Sequence, residues 1–169
     1  DNGFAFYIDQ PAGTGSYSFK VATTTDRAIV LWWDGTVESG TADGVTGLIT
    51  FTKAVPANAT DPYGFAVPKL VMVYSCMTDG TGRPEGEMTE FEALGAFRYY
   101  GINHPSLTRY KISGASLNQL IDLGHYWTFT ALQDLTINFP FEPVNPYLDL
   151  SLNTALDKVY CINSGLVSI

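Results

Sequence analysis

Hydrophobic and polar positions alternate with a period of two along the first part of the chain. Phe4, Phe6 and Ile8 alternate with Ala5 and Tyr7 before a turn at 11–13. Tyr17, Phe19 and Val21 alternate with Ser18 and Lys20. Successive strand side chains point to opposite faces, so each run predicts a half-buried strand. Residues 28–33 are nearly all apolar, which suits a short strand buried on both faces. Asp34-Gly35-Thr36 then predicts a tight turn, because Gly tolerates positive φ. Further turns fall at 43–44, 58–62 and 79–86, and residues 48–52 and 70–74 read as strands between them. Turns at this spacing predict a β-sandwich over residues 1–85.

The pattern changes at residues 85–98. Met88, Phe91, Leu94 and Phe97 are spaced by three and sit among Glu85, Glu87, Glu90 and Glu92. That spacing predicts a short helix within a linker over 86–104. The glutamates read as a solvated face rather than a paired-carboxylate active site, for which no polar or basic partner lies near them in the sequence.

The second half contains a repeat. Leu107-x-x-Tyr110-x-Ile112 matches Leu132-x-x-Leu135-x-Ile137, and both match Leu156-x-x-Val159-x-Cys161. The leading Leu residues are 25 and 24 positions apart, and Thr-Ala-Leu recurs at 130–132 and 154–156. The pattern predicts leucine-rich coils over 105–169, each giving a short strand with its apolar positions inward. One coil cannot bury its own apolar face, so coils stack and share a core. Ser113, Asn138 and Asn163 follow the three matches, where polar side chains can satisfy backbone groups as the chain turns.

The segment 148–169, LDLSLNTALDKVYCINSGLVSI, resembles the 21-residue, cysteine-bearing leucine-rich repeats of internalin-like bacterial surface proteins. In that class the Cys lies inside the coil, which matches Cys161. Position 137, one coil earlier, is Ile, so no cysteine ladder is expected. Leu31-Trp-Trp-Asp-Gly-Thr36 resembles the strand and turn of PKD-like immunoglobulin-type domains, with Trp33 where those carry Gly. The two resemblances together imply an all-β protein of a virion or bacterial surface, a PKD-like sandwich followed by a leucine-rich solenoid.

Composition adds limits. The 169 residues carry 9 Lys and Arg against 17 Asp and Glu, a net charge of −8. An acidic chain lacks the basic face that phosphates need, so nucleic acid is excluded as a partner. No apolar run approaches the roughly 18 residues of a membrane span. Cys76 and Cys161 have no metal-ligand spacing and read as reduced, buried thiols. His104 and His125 are the only histidines, too few for a metal site, and no cofactor motif is present. Asn58-Ala59-Thr60 is a single glycosylation sequon. Asp34, Asp43, Asp61 and Asp79 read as turn formers, with Ca²⁺ binding as the alternative role. No nucleophile elbow appears, and the reading is non-enzymatic.

Adjacent aromatics occur at Trp32-Trp33, Tyr99-Tyr100 and Tyr126-Trp127. One member of each pair is expected in the core and the other outside. Tyr126, Trp127, Tyr99 and Tyr100 are therefore the candidate binding residues, for a host-surface protein or a glycan. Residues 1–8 are expected to form an exposed strand able to complete a neighbour's sheet. The chain stops in mid-coil, so its last coil is expected to be extended or covered. The functional expectation is a structural and adhesive subunit on a virion surface: a head decoration, fibre or tail accessory protein. It would assemble with itself or with other surface proteins. The alternatives are a secreted cell-surface adhesin fragment and a glycan-binding module.

Overall fold

In a computed structural model, residues 3–8, 15–55, 69–77, 84–93, 97–99, 106–113, 129–138 and 150–162 are described. They form eleven strands in two sheets, with no helix among them. The strands are β1 (Gly3–Ile8), β2 (Ser16–Thr23), β3 (Arg27–Leu31), β4 (Val37–Thr41), β5 (Ile49–Ala54) and β6 (Lys69–Ser75). They continue with β7 (Met88–Ala93), β8 (Phe97–Tyr99), β9 (Arg109–Ser113), β10 (Asp134–Asn138) and β11 (Lys158–Ile162). The five-stranded sheet runs β4-β3-β6-β1-β8, and the six-stranded sheet runs β11-β10-β9-β7-β2-β5. The expected all-β class and its two packed sheets are present.

The alternating segments fold as their patterns require. In β2, Tyr17, Phe19 and Val21 are buried while Ser18 and Lys20 face outward. Ala28, Ile29 and Val30 are all buried in β3, as an apolar run covered on both faces should be. The sheets meet through aromatic rings. Phe6 of one sheet lies 5.3 Å from both Phe19 and Phe91 of the other, edge-on in each case. Such edge-to-face pairs add to the value of the buried area. Tyr17 is enclosed in the same core, and burial pushes its phenol well above its ordinary pKa.

Two expectations are corrected. The first is the short helix in 86–104, where Met88–Ala93 is a strand and Phe97–Tyr99 another. Met88, Phe91 and Ala93 all point into the core. A three-residue spacing shares one face because the β2–β7 register shifts between Ala22 and Thr23. Such an irregularity adds a residue to one strand and re-aims its side chains. The second is the exposed N-terminal strand. β1 lies inside its sheet, antiparallel to β6 on one side and β8 on the other. Phe6 and Ile8 are buried, so β1 is spent within its own core.

The hairpin from β3 to β4 is fixed by Asp34. Its Oδ1 accepts hydrogen bonds from the Thr36 amide (3.1 Å) and hydroxyl (2.7 Å), and its Oδ2 meets Lys53 Nζ at 2.8 Å. Lys53 also donates to the Thr36 hydroxyl and stands 5.7 Å from the Trp32 ring and 5.9 Å from the Trp33 ring. Gly35 closes the turn at φ 82°. Asp43 likewise accepts from the Val45 and Thr46 amides. Both aspartates thus serve their own turns, whereas Asp61 and Asp79 lie outside the described residues, as does the sequon at 58–60.

Lys53 first, and then Thr36, hold the Asp34 carboxyl well below the usual carboxylate range. A carboxylate with a depressed folded-state pKa contributes stability above its unfolded pKa, and that stability is lost as pH falls through the folded value. Asp34→Asn should therefore lower the unfolding midpoint at neutral pH. The gap to the parent protein should close in strong acid, as followed by urea titrations across pH. The Phe91 ring is wholly buried against Phe6, Phe19 and Tyr110. Phe91→Ala should cost about 3–5 kcal/mol in the same titrations, the usual range for emptying a packed aromatic site.

Candidate functional site

β7 changes the character of its sheet. It pairs antiparallel with β2 and parallel with β9, and β9, β10 and β11 continue in parallel. Positions that repeat in sequence are direct partners in space. Tyr110 pairs with Leu135 and Leu135 with Val159, while Ile112 pairs with Ile137 and Ile137 with Cys161. The same register reaches back one strand, pairing Phe91 with Tyr110 and Ala93 with Ile112. Met88-x-x-Phe91-x-Ala93 is thus a fourth, degenerate copy of the pattern. Its Met and Ala replace the larger apolar residues, which is why the sequence did not reveal it.

The strand starts are tied in an equally regular way. The Thr108 amide donates to the Thr89 carbonyl at 2.8 Å, Gln133 to Thr108 at 2.8 Å, and Asp157 to Gln133 at 2.9 Å. The Leu132 amide donates to Phe129 and the Leu156 amide to Asn153, so the two Thr-Ala-Leu copies form the same turn. Asn153 is buried, and its Nδ2 donates to the Phe129 carbonyl at 3.0 Å. One turn is thereby bonded to the equivalent turn 24 residues earlier. The segments 114–128 and 139–149 lie outside the described residues, and a wound leucine-rich solenoid is not shown.

The outward face of these strands carries the charged groups. Glu90, Arg109, Asp134 and Lys158 are successive register partners, so sign alternates from strand to strand. Arg109 Nη1 meets Glu90 Oε2 at 3.0 Å, and its Nε lies 3.6 Å from Asp134 Oδ2. The next row runs Lys20, Glu92, Lys111, Thr136 and Tyr160, with Lys111 Nζ 3.0 Å from Glu92 Oε1. Glu90 and Glu92 are thus paired across strands with Arg109 and Lys111. Arg109 and Lys111 come from 19 positions later and are supplied by parallel pairing. A groove of about 310 Å³ crosses this face from Leu48 to Tyr160. Tyr160 is half exposed at its far end.

Other proposed site residues are distributed differently. Tyr99 lies in β8, paired with Phe6. Tyr100, Tyr126, Trp127, His104 and His125 lie outside the described residues. Trp32 is buried and donates its indole N–H to Glu38, while Trp33 is partly buried against it. Of the repeat positions, Leu107, Tyr110, Leu132, Leu135 and Ile137 are buried, and Leu156 and Cys161 are partly so. Cys76 is buried as well, and neither thiol is in a disulfide. Partial burial raises the Cys161 pKa. Among the described residues no three His, Cys, Asp or Glu side chains are placed to hold a metal ion, and no helix is long and apolar enough to cross a membrane. Comparison with known protein families, curated proteins and solved structures returns no match.

Removing the Asn153 amide leaves a buried carbonyl without that donor. Asn153→Ala should cost about 1–3 kcal/mol in urea unfolding, the usual penalty for a broken buried hydrogen bond. The exposed Glu90–Arg109 pair should contribute far less. A double-mutant cycle at those two positions should give a coupling below about 1 kcal/mol.

Proposed function

We propose that this chain is a non-enzymatic structural and adhesive protein of a virion surface, working by contact and assembly. In this reading the parallel strands are successive coils of a leucine-rich solenoid. The PKD-like sandwich caps the first coil through β2. The single observation that carries the assembly reading is the exposure at β11. Val159 is 38 % exposed, while its register equivalents Tyr110 and Leu135 are 2 % and 0 % exposed. Tyr160 and Ile162 on the same strand are also about half exposed. An inward-type apolar position that stays open, on a strand at the end of the sheet order, favours pairing with another strand.

The proposal requires association through β11. Sedimentation velocity should find concentration-dependent oligomers of this chain, and Val159→Asp should return them to monomers with the fold intact by circular dichroism. A parent chain that stays monomeric at high concentration would count against the reading. Immunogold labelling with an antibody to the chain tests the location. Label on particles supports the virion, and label confined to a cell envelope moves the reading to the adhesin alternative.

A further inference from the structure

We infer that the groove on the outward face of the parallel strands is a binding site for an extended, neutral oligosaccharide. The inference does not require assembly through β11, although Tyr160 belongs to both surfaces. Besides Leu48, its lining comes from four successive strands, β7, β9, β10 and β11, which cover three strand steps, roughly 14 Å at about 4.8 Å per step. Its volume sits near the lower end of the roughly 300–1,000 Å³ typical of small-ligand clefts. Lining spread across four strands suits a chain of small rings better than a compact molecule.

Charge selects the ligand further. Within the groove Glu90, Glu92 and Asp134 lie beside Arg109 and Lys111, so each sign is met by its opposite at close range. A polyanion would meet carboxylates along the whole path, and a polycation would meet Arg109 and Lys111. A neutral polyol meets neither penalty. Its hydroxyls both donate and accept, and this face offers carboxylate acceptors and cationic donors in alternation. Arg109 and Lys111 keep about half their side-chain surface in solvent, so both can reach a ligand. Exposed ion pairs are individually weak, so turning them toward a ligand costs little.

The end of the groove supplies an apolar platform. Tyr160 follows Thr136 in the same row, half exposed, with its phenol in its ordinary aromatic role rather than in the core. A ring with one wet face and one polar tip stacks on the C–H face of a pyranose. The Thr136 hydroxyl beside it provides a neutral donor and acceptor. An extended peptide is the poorer occupant, because the groove lies on the sheet face, where backbone groups are already used in the ladders.

The test is a glycan array followed by solution titration with cellotetraose, maltotetraose and tetra-N-acetylchitotetraose, with a heparin tetrasaccharide as the anionic probe. The expected result is saturable, salt-insensitive binding of at least one neutral probe. Binding should weaken about tenfold in Tyr160→Ala, the scale of one lost aromatic contact. Asp134→Asn should weaken it as well, and Val37→Ser on the other sheet should leave it unchanged. Three results would overturn the inference: no saturable neutral binder, binding by the anionic probe alone, or neutral binding untouched in both groove variants. Sedimentation of the same samples separates a lost groove from altered assembly.

Discussion

The stacked contact between Phe91 and Tyr110, with centroids 5.9 Å apart and planes 22° apart, holds the two halves of the sheet together. Phe91 also stacks on Phe19 at 5.9 Å and meets Phe6 edge-on. Four rings from β1, β2, β7 and β9 therefore form one packed path, from between the two sheets into the parallel strands. The two edges of β7 face different partners. β2 demands antiparallel geometry and β9 parallel geometry, whose hydrogen bonds are slanted and evenly spaced. Mixed sheets of this kind are common, and here a buried aromatic ring on β7 adds a large apolar surface to both ladders.

From this anchor the rest of the sheet follows as rows. One inward row runs Ile49, Val21, Phe91, Tyr110, Leu135 and Val159, and a second includes Phe51, Phe19, Ala93, Ile137 and Cys161. The large and small members complement one another, since Ala93 leaves room beside Phe19 and Phe91. The sandwich core is thereby continuous with the core under the repeats. On the other side β2 pairs with β7, the first of the parallel strands, and β5 is the last strand of the sheet.

Much of this was readable from the chain. The alternation in β2, the apolar run of β3 and the Asp34-Gly35-Thr36 turn require only local rules. The repeat gave the register of β9, β10 and β11, because identical spacing in sequence becomes direct pairing in a parallel ladder. What was hidden depended on distant partners. Met88 and Phe91 imitate helical spacing, and only the extra residue in β7, Thr89, where the pairing with β2 shifts, turns both inward. β1 looked like a free edge because nothing local announces that β6, more than sixty residues later, will pair with it. Tyr160 was legible in principle, since it falls between inward Val159 and Cys161.

The outward rows impose a rule on whatever joins the sheet next. Strands lie about 4.8 Å apart, so facing side chains in a row meet at close range and like charges opposite one another are unfavourable. The row Glu90, Arg109, Asp134, Lys158 already alternates across four strands. A strand added beside Lys158 fits best with a carboxylate there, and with apolar residues beside Val159 and Cys161. Each such pair contributes little in water, so it acts on register rather than on affinity. A slip by one residue would place the newcomer's apolar set on the solvent side and a charge under Val159, a buried-charge penalty much larger than any surface pair. In the association proposed above, the inward row would supply the energy, while the alternating charges would make one alignment better than its neighbours.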